Sequence, residues 1–271
     1  MTQLDCVAKA HELGFEAIEF IDLEPCEKPT LDQQIEYAKA IRAEADKYGM
    51  DINAYTISAT MYHNDPADGA KEIERLKGQL DVAKILGAKV MRHDVCYTLG
   101  KRGNARSFDL MLPTIAKNAR RVTEYAETLG IRTCTENHGF IAQDSDRVEK
   151  LFNTVDHDNY GLLVDVGNFL CVDEDPIHAV SRVAPYAVHA HVKDFIRFDE
   201  AVEGRTIMTR GANYIAGAVI GEGVVPVRQC LKILKRANYD GYVSVEYEGR
   251  EDCIAGIERG LANLKRFISE I

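Results

Sequence analysis

A charged helical run that closes on glycine, with an apolar strand following within a few residues, recurs along this chain. It reads AHELG-FEAIEF, DKYG-MDINAYTI, KILG-AKVMRHDV and ETLG-IRTCTENH, with a looser copy in RANYDG-YVSVEYE. Glycine just past a helix end supplies the left-handed backbone that other residues resist. Strands alternating with helices of this length pair in parallel through right-handed crossovers. No linker or low-complexity run interrupts the pattern, so residues 1–271 read as one domain.

The apolar runs place strands at 17–22, 52–59, 89–95, 132–138, 161–166, 187–193 and 242–247. Helices fall at 4–13, 31–48, 68–86, 107–129, 144–153, 176–183, 227–237 and 252–269. The 271 residues are close to the roughly 250 of a complete TIM (β/α)8 barrel, which is the expected fold. Such a barrel has eight strands and this pattern supplies seven, because only Met1 to Gln3 precede the first helix. The expectation is therefore a barrel whose first strand is missing from this chain, with Met1 an internal or misassigned start. An open seam would leave unpaired backbone groups, a state that a homo-oligomer would relieve. Residues 195–223 form the longest stretch without an assigned element. There TIMTRGANYIAGAVIGEG alternates enough for a hairpin or a lid over the barrel rim.

A net charge of −10 argues against a nucleic-acid surface, which needs a basic footprint. No apolar run approaches the roughly 18 residues of a membrane helix. The N-terminus reads as the start of an amphipathic helix and not as a secretory signal. Seven cysteines, an odd number without any CxxC pair, fit a reducing cytoplasm. Small polar substrates suit this chain better than polyanions.

In a parallel barrel the carboxyl ends of the strands converge on one rim, where such folds place their chemistry. Four such ends carry Glu136 (RTCTENHG), Asp165 (YGLLVDVGN), His191 (AVHAHVKD) and Glu246 (GYVSVEYEG). Glu136, Asp165 and His191 follow one another at 29 and 26 residues, about one strand–helix repeat each. Three carboxylates and an imidazole make a cage for one divalent metal ion, whether Mn2+, Mg2+, Co2+ or Zn2+. Asp165 follows an apolar LLV run, and a buried carboxylate needs a partner or a metal. Glu246 and Glu248 share a face of their strand, and either fits as ligand; Glu246 is chosen as the less distal. His189 reads as a core residue. Lys193 could pair with Asp194, bind a substrate oxygen or be solvated, and His63 in MYHNDPAD stands where a loop could contact a substrate hydroxyl. Glu19, Asn64, Arg92 and His93 are weaker candidates at earlier strand ends.

These motifs resemble the sugar phosphate isomerase/epimerase family of xylose isomerase-like TIM barrels. The likeness runs from HELGFEAIEF to SVEYEG and rests on TENH, LLVDVGN, HVKD, the GEG turn and SVEYEG. It implies that Glu136, Asp165, His191 and Glu246 hold one divalent ion and that Glu136 and Glu246 are the acid/base pair. It further implies that Arg197 touches substrate oxygens. Two positions depart from the ketose epimerases of that family: Asn168 replaces a histidine and Ala142 a glutamate, which points away from a free ketohexose as substrate. The expected activity is isomerisation or epimerisation of a sugar, sugar phosphate or polyol by proton abstraction beside a carbonyl, through an enediolate. The alternatives are an inosose-type or dehydroshikimate-type dehydratase on the same metal site, or a catalytically silent sugar-binding barrel. His63, Arg197, Asn168 and Lys193 are the expected substrate contacts.

Overall fold

The computed structural model describes residues 1–99, 107–204 and 206–271 of the chain. In order, the elements are α1 (Gln3–Glu12), β1 (Ala17–Ile21), α2 (Leu31–Tyr48), β2 (Asp51–Ile57), α3 (Pro66–Leu86), β3 (Val90–His93), α4 (Phe108–Leu129), β4 (Arg132–Glu136), α5 (Ser145–Val155) and β5 (Tyr160–Asp165). There follow α6 (Pro176–Val183), β6 (Ala187–Val192), β7 (Asp194–Phe198), β8 (Ile207–Met208), β9 (Tyr214–Ala218), α7 (Val227–Arg236), β10 (Val243–Val245) and α8 (Cys253–Ser269). Seven strands form one sheet in the order β1-β2-β3-β4-β5-β6-β10, and β7-β9-β8 form a second. Among the described residues no strand precedes α1, in agreement with the seven-strand reading.

Residues 1–135 with 151–161 form one compact unit. Its helices start and stop where local chemistry dictates. Thr2 with Asp5 and Thr30 with Gln33 build reciprocal caps that satisfy the first free amides of α1 and α2. Asp65 caps α3 ahead of Pro66, whose missing N–H costs nothing at a first helical position. Gly49, Gly87 and Gly130 end α2, α3 and α4 in the left-handed conformation that the repeats anticipate. The strands pair in parallel with Ile18 opposite Ile52, Ile57 opposite His93 and Arg92 opposite Cys134. Tyr55, Ile57, Leu76, Leu80, Met91 and Ile115 are buried between these strands and their helices.

Residues 136–150 with 162–271 form the second unit. In it Asp165 pairs with His191 across β5 and β6, and His191 with Ser244 across β6 and β10. The looser repeat RANYDG departs from expectation, since the left-handed residue after α7 is Asn238 and not Gly241. Of the hairpin or lid expected after residue 195, the described residues show the hairpin: β7 and β8 flank β9 in an antiparallel sheet. Asp194 fastens this sheet to the following loop, accepting from the amides of Phe195, Gly221, Gly223 and Val225 at 2.8–2.9 Å. A Cβ on Gly223 would lie 2.2 Å from Asp194 Oδ1, so the loop closes only around glycine. With both its oxygens taken by amides, Asp194 is not the partner of Lys193.

In the first unit His93 is fully buried, its Nδ1 3.1 Å from the carbonyl oxygen of Asp94 and its ring against Tyr160. Burial pulls its pKa from the ordinary 6.5 to about 4, outweighing the neighbouring Asp94. The folded chain thus keeps His93 neutral where the unfolded chain takes up a proton. The associated stability is complete above pH 6.5 and is lost as pH falls toward 4. A loss of up to ~3 kcal/mol across that window is expected. Urea unfolding of His93→Gln, which cannot titrate, should show a correspondingly shallower pH slope than the wild-type chain.

Candidate metal centre

All four residues singled out as ligands belong to the second unit, and strand register brings them together. Asp165 and His191 stand side by side at neighbouring strand ends, and Glu246, two residues past the Ser244–His191 pair, donates its amide to the carbonyl oxygen of Val192 at 3.0 Å. Glu136 ends β4. One ligand atom from each of Glu136, Asp165, His191 and Glu246 lies within 4.8 Å of the others. His191 Nδ1 is 3.1 Å from Glu246 Oε2 and 3.9 Å from Glu136 Oε1. Glu136, Asp165 and His191 are buried and Glu246 is half-buried.

The two oxygens of Asp165 live differently. Oδ1 accepts from the amides of Gly167 and Asn168, both at 2.8 Å, and so caps the short 3₁₀ turn Asn168–Val172. Oδ2 is buried without a hydrogen bond and stands 3.6 Å from Lys193 Nζ. Burial raises the Asp165 carboxyl to about 7; Lys193 opposes the rise, and Glu246 and Glu136 add to it. A buried carboxylate oxygen short of partners calls for a proton or a cation, and this one faces two more carboxylates and an imidazole. The donor set, three carboxylates and one ring nitrogen, suits a hard or borderline divalent ion such as Mg2+, Mn2+ or Zn2+. The residues present therefore fit a metal.

A surrounding layer fixes the ligands. Asn168 Nδ2 donates to Glu136 Oε1 at 2.8 Å, while Gln143 holds the Asn168 carbonyl. Asn137 clamps the main chain of Asp165 in both directions at 2.9 Å. Sequence reasoning missed Asn137, although its place next to Glu136 with its side chain on the other strand face was a usable signal. Lys193 is almost fully buried, which removes the solvated reading. Its ammonium lies 3.0 Å from Glu246 Oε1 and 3.0 Å from Glu248 Oε1. Burial would lower its pKa, but Asp165, Glu246, Glu136 and Glu248 together hold it well above the ordinary value. In the same way Lys193 and His191 overcome burial and hold the Glu246 carboxyl well below its usual range. Arg197 is exposed on β7, opposite Ile215 of β9. His63 belongs to the first unit, where Nε2 sits 2.8 Å from the Thr60 carbonyl oxygen.

The xylose isomerase-like TIM barrel model matches residues 7–267, and the chain belongs to that family. Its seven parallel strands are those of a (β/α)8 barrel with one strand missing. An inosose dehydratase of Clostridium perfringens is 24% identical over 160 residues. That match takes in 58% of this chain and 54% of the enzyme, so the chain spans about half the length of such relatives. Among solved structures, the IOLI protein with a bound zinc atom superposes with a TM-score of 0.77 at 17% identity, over 100% of this chain and 94% of that one. D-Psicose 3-epimerase from Clostridium cellulolyticum, solved with D-tagatose, gives 0.73 at 16% identity, over 98% and 93%. These likenesses establish the fold. No helix of the described residues is long and apolar enough to cross a membrane.

Because Asn168 holds Glu136 by its side chain and Asp165 by its amide, Asn168→Ala should loosen one ligand while leaving the turn capped. Loss of such an outer partner should weaken divalent-ion affinity by about 10–100-fold, measured by calorimetry on protein stripped with chelator. An unchanged affinity would mean that Glu136 needs no such support.

Proposed function

We propose that this protein is a divalent-metal-dependent isomerase or epimerase of a small sugar or polyol, with Glu136, Asp165, His191 and Glu246 as the metal ligands. The observation that carries the reading is the convergence of those four ligand atoms within 4.8 Å around a buried Asp165 oxygen without a hydrogen bond. When bound, a divalent ion supplies Lewis acidity, which acidifies a carbon next to a ligated carbonyl. The rest of the chemistry belongs to side chains of this chain.

Glu246 enters ionised, held so by Lys193 and His191, and an oxygen of it can accept the proton from the substrate carbon. The electron pair left behind moves into the carbonyl and forms an enediolate. Glu136, on a different strand and oriented by Asn168, is the second carboxyl group of the pair. Epimerisation follows when Glu136 delivers a proton taken from solvent to the opposite face of the same carbon, Glu246 keeping the one it removed; protonation of the adjacent carbon, with the hydroxyl proton passing to the former carbonyl oxygen, gives aldose–ketose isomerisation. Buried walls around Glu136, Asp165 and His191 keep bulk water from quenching the intermediate. Lys193, Asn168, Arg197 and His63 are proposed to contact substrate oxygens, and the single domain of residues 1–271 is proposed to work in the cytoplasm.

A second reading is dehydration, and the half-length match to inosose dehydratase favours it. It shares the first proton transfer and then expels hydroxide from the carbon beyond the enediolate. Deuterium exchange from solvent into a panel of ketoses, inososes and hydroxypyruvate reads the shared step, and loss of water from product separates the two outcomes. Glu136→Gln and Glu246→Gln should each slow exchange by roughly 100-fold or more while retaining part of the bound metal. Undiminished exchange in both variants would remove the acid/base pair from the reading.

A further inference from the structure

We propose that Lys193 is a built-in counter-cation of the metal centre, a positioning residue that competes with the divalent ion for the same carboxylate oxygens. The inference rests on the metal-centre reading above and adds a role for Lys193 beyond substrate contact. Three carboxylates surround one ammonium: Glu246 Oε1 and Glu248 Oε1 at 3.0 Å, and Asp165 Oδ2 at 3.6 Å. Two of these, Asp165 and Glu246, are also proposed metal ligands, so the ammonium and the ion draw on shared oxygens.

The arrangement is built into the chain. The lysine side chain is 3% exposed, and it reaches the carboxylates by passing over Gly167. A Cβ at Gly167 would sit 2.6 Å from Lys193 Cγ, so only glycine leaves that path open. A buried ammonium ringed by acids offsets their mutual repulsion when no ion is bound. Glu248, with its side chain 38% exposed, offers the ammonium a partner that is not among the four ligands. On ion binding Lys193 therefore turns toward Glu248 and leaves Asp165 and Glu246 to the metal. Its contact with Glu246 Oε1 also leaves Oε2 facing His191, which orients that carboxylate for the ion.

Competition for shared oxygens is a coupling between two cations and is reciprocal. Lys193→Met keeps the bulk and removes the charge. At about pH 8, where ordinary carboxyls are ionised, it should bind Mn2+ roughly tenfold more tightly than wild type by calorimetry. Its melting temperature should fall in the metal-free form and fall much less with Mn2+ bound. Glu248→Gln alters only a part-exposed partner, leaves Lys193 wholly on Asp165 and Glu246, and should weaken Mn2+ binding. Should Lys193→Met fail to fold, Glu248→Gln decides alone. Unchanged Mn2+ affinity in Glu248→Gln, or equal loss of melting temperature with and without Mn2+ in Lys193→Met, overturns the assignment. A wild-type chain that binds no Mn2+ sinks the metal-centre reading instead, and the two failures are thereby told apart.

Discussion

Carboxylates taken out of water must be compensated, and the second unit of this protein is organised around that demand. Asp165 is the extreme case: completely buried, it spends one oxygen on two backbone amides and leaves the other without a hydrogen bond. An isolated buried charge would cost several kcal/mol even after relaxation, more than most single interactions return. The chain meets that cost by concentrating partners: His191 one strand away in register, Lys193 two residues further on, and Asn137 fixing the backbone from just past β4. Coordination of a cation by the remaining oxygens would complete the compensation, so the same residues that burden stability define the candidate chemistry.

Placement depends on backbone geometry more than on the ligands themselves. Side chains alternate along a strand, so His189, His191 and Lys193 share one side of β6 and its continuation, and Ser244, Glu246 and Glu248 share one side of β10 and its continuation. Pairing His191 with Ser244 then sets Glu246 beside His191 and Lys193, and a shift of one residue would turn all three of the β10 side chains away. The loop beyond β6 is held by four amides on Asp194, three residues after His191. A Cβ at Gly217 would meet the carbonyl oxygen of Glu248 at 2.1 Å, so β9 lies tight against the segment that carries Glu246 and Glu248. The antiparallel sheet is thus fastened to both strands that supply the half-buried side of the site.

Much of this was legible in the sequence because periodicity and glycine punctuation are local signals. Helices α2 and α6 fall where the pattern puts them, and Gly49, Gly87 and Gly130 adopt the backbone expected of them. Strand ends were less legible: β10 is three residues long where six were expected, although the Glu246 amide still bonds to Val192. The four clustered residues could be picked out because each ends an apolar run, a position where a polar residue needs a reason. The partners of Lys193 and Asp194 could not. Lysine was open to a neighbour, a substrate or solvent, and only the meeting of β6, the β10 continuation and the GEG loop assigns Lys193 to Glu246 and Glu248 and Asp194 to backbone amides. Non-local pairing of that kind leaves no periodic trace.

Under the proposed reading, isomerisation and dehydration share what such a site would contribute. Acidifying a carbon beside a carbonyl takes a Lewis acid, a base held ionised and a dry pocket, and none of these specifies where the proton goes next. The outcome is decided by the group that meets the enediolate on its other face or at its next carbon. In the proposed mechanism that group is Glu136, which accepts a hydrogen bond from Asn168. An amide at position 168 can donate to Glu136 but carries no titratable proton, whereas a histidine in that place could itself exchange one. On the proposed reading the pair Glu136–Asn168 therefore returns a proton only through the carboxyl group. That would restrict the chemistry to a single donor on that face, and isomerisation and dehydration would then part according to whether the enediolate is reprotonated or expels hydroxide from its next carbon.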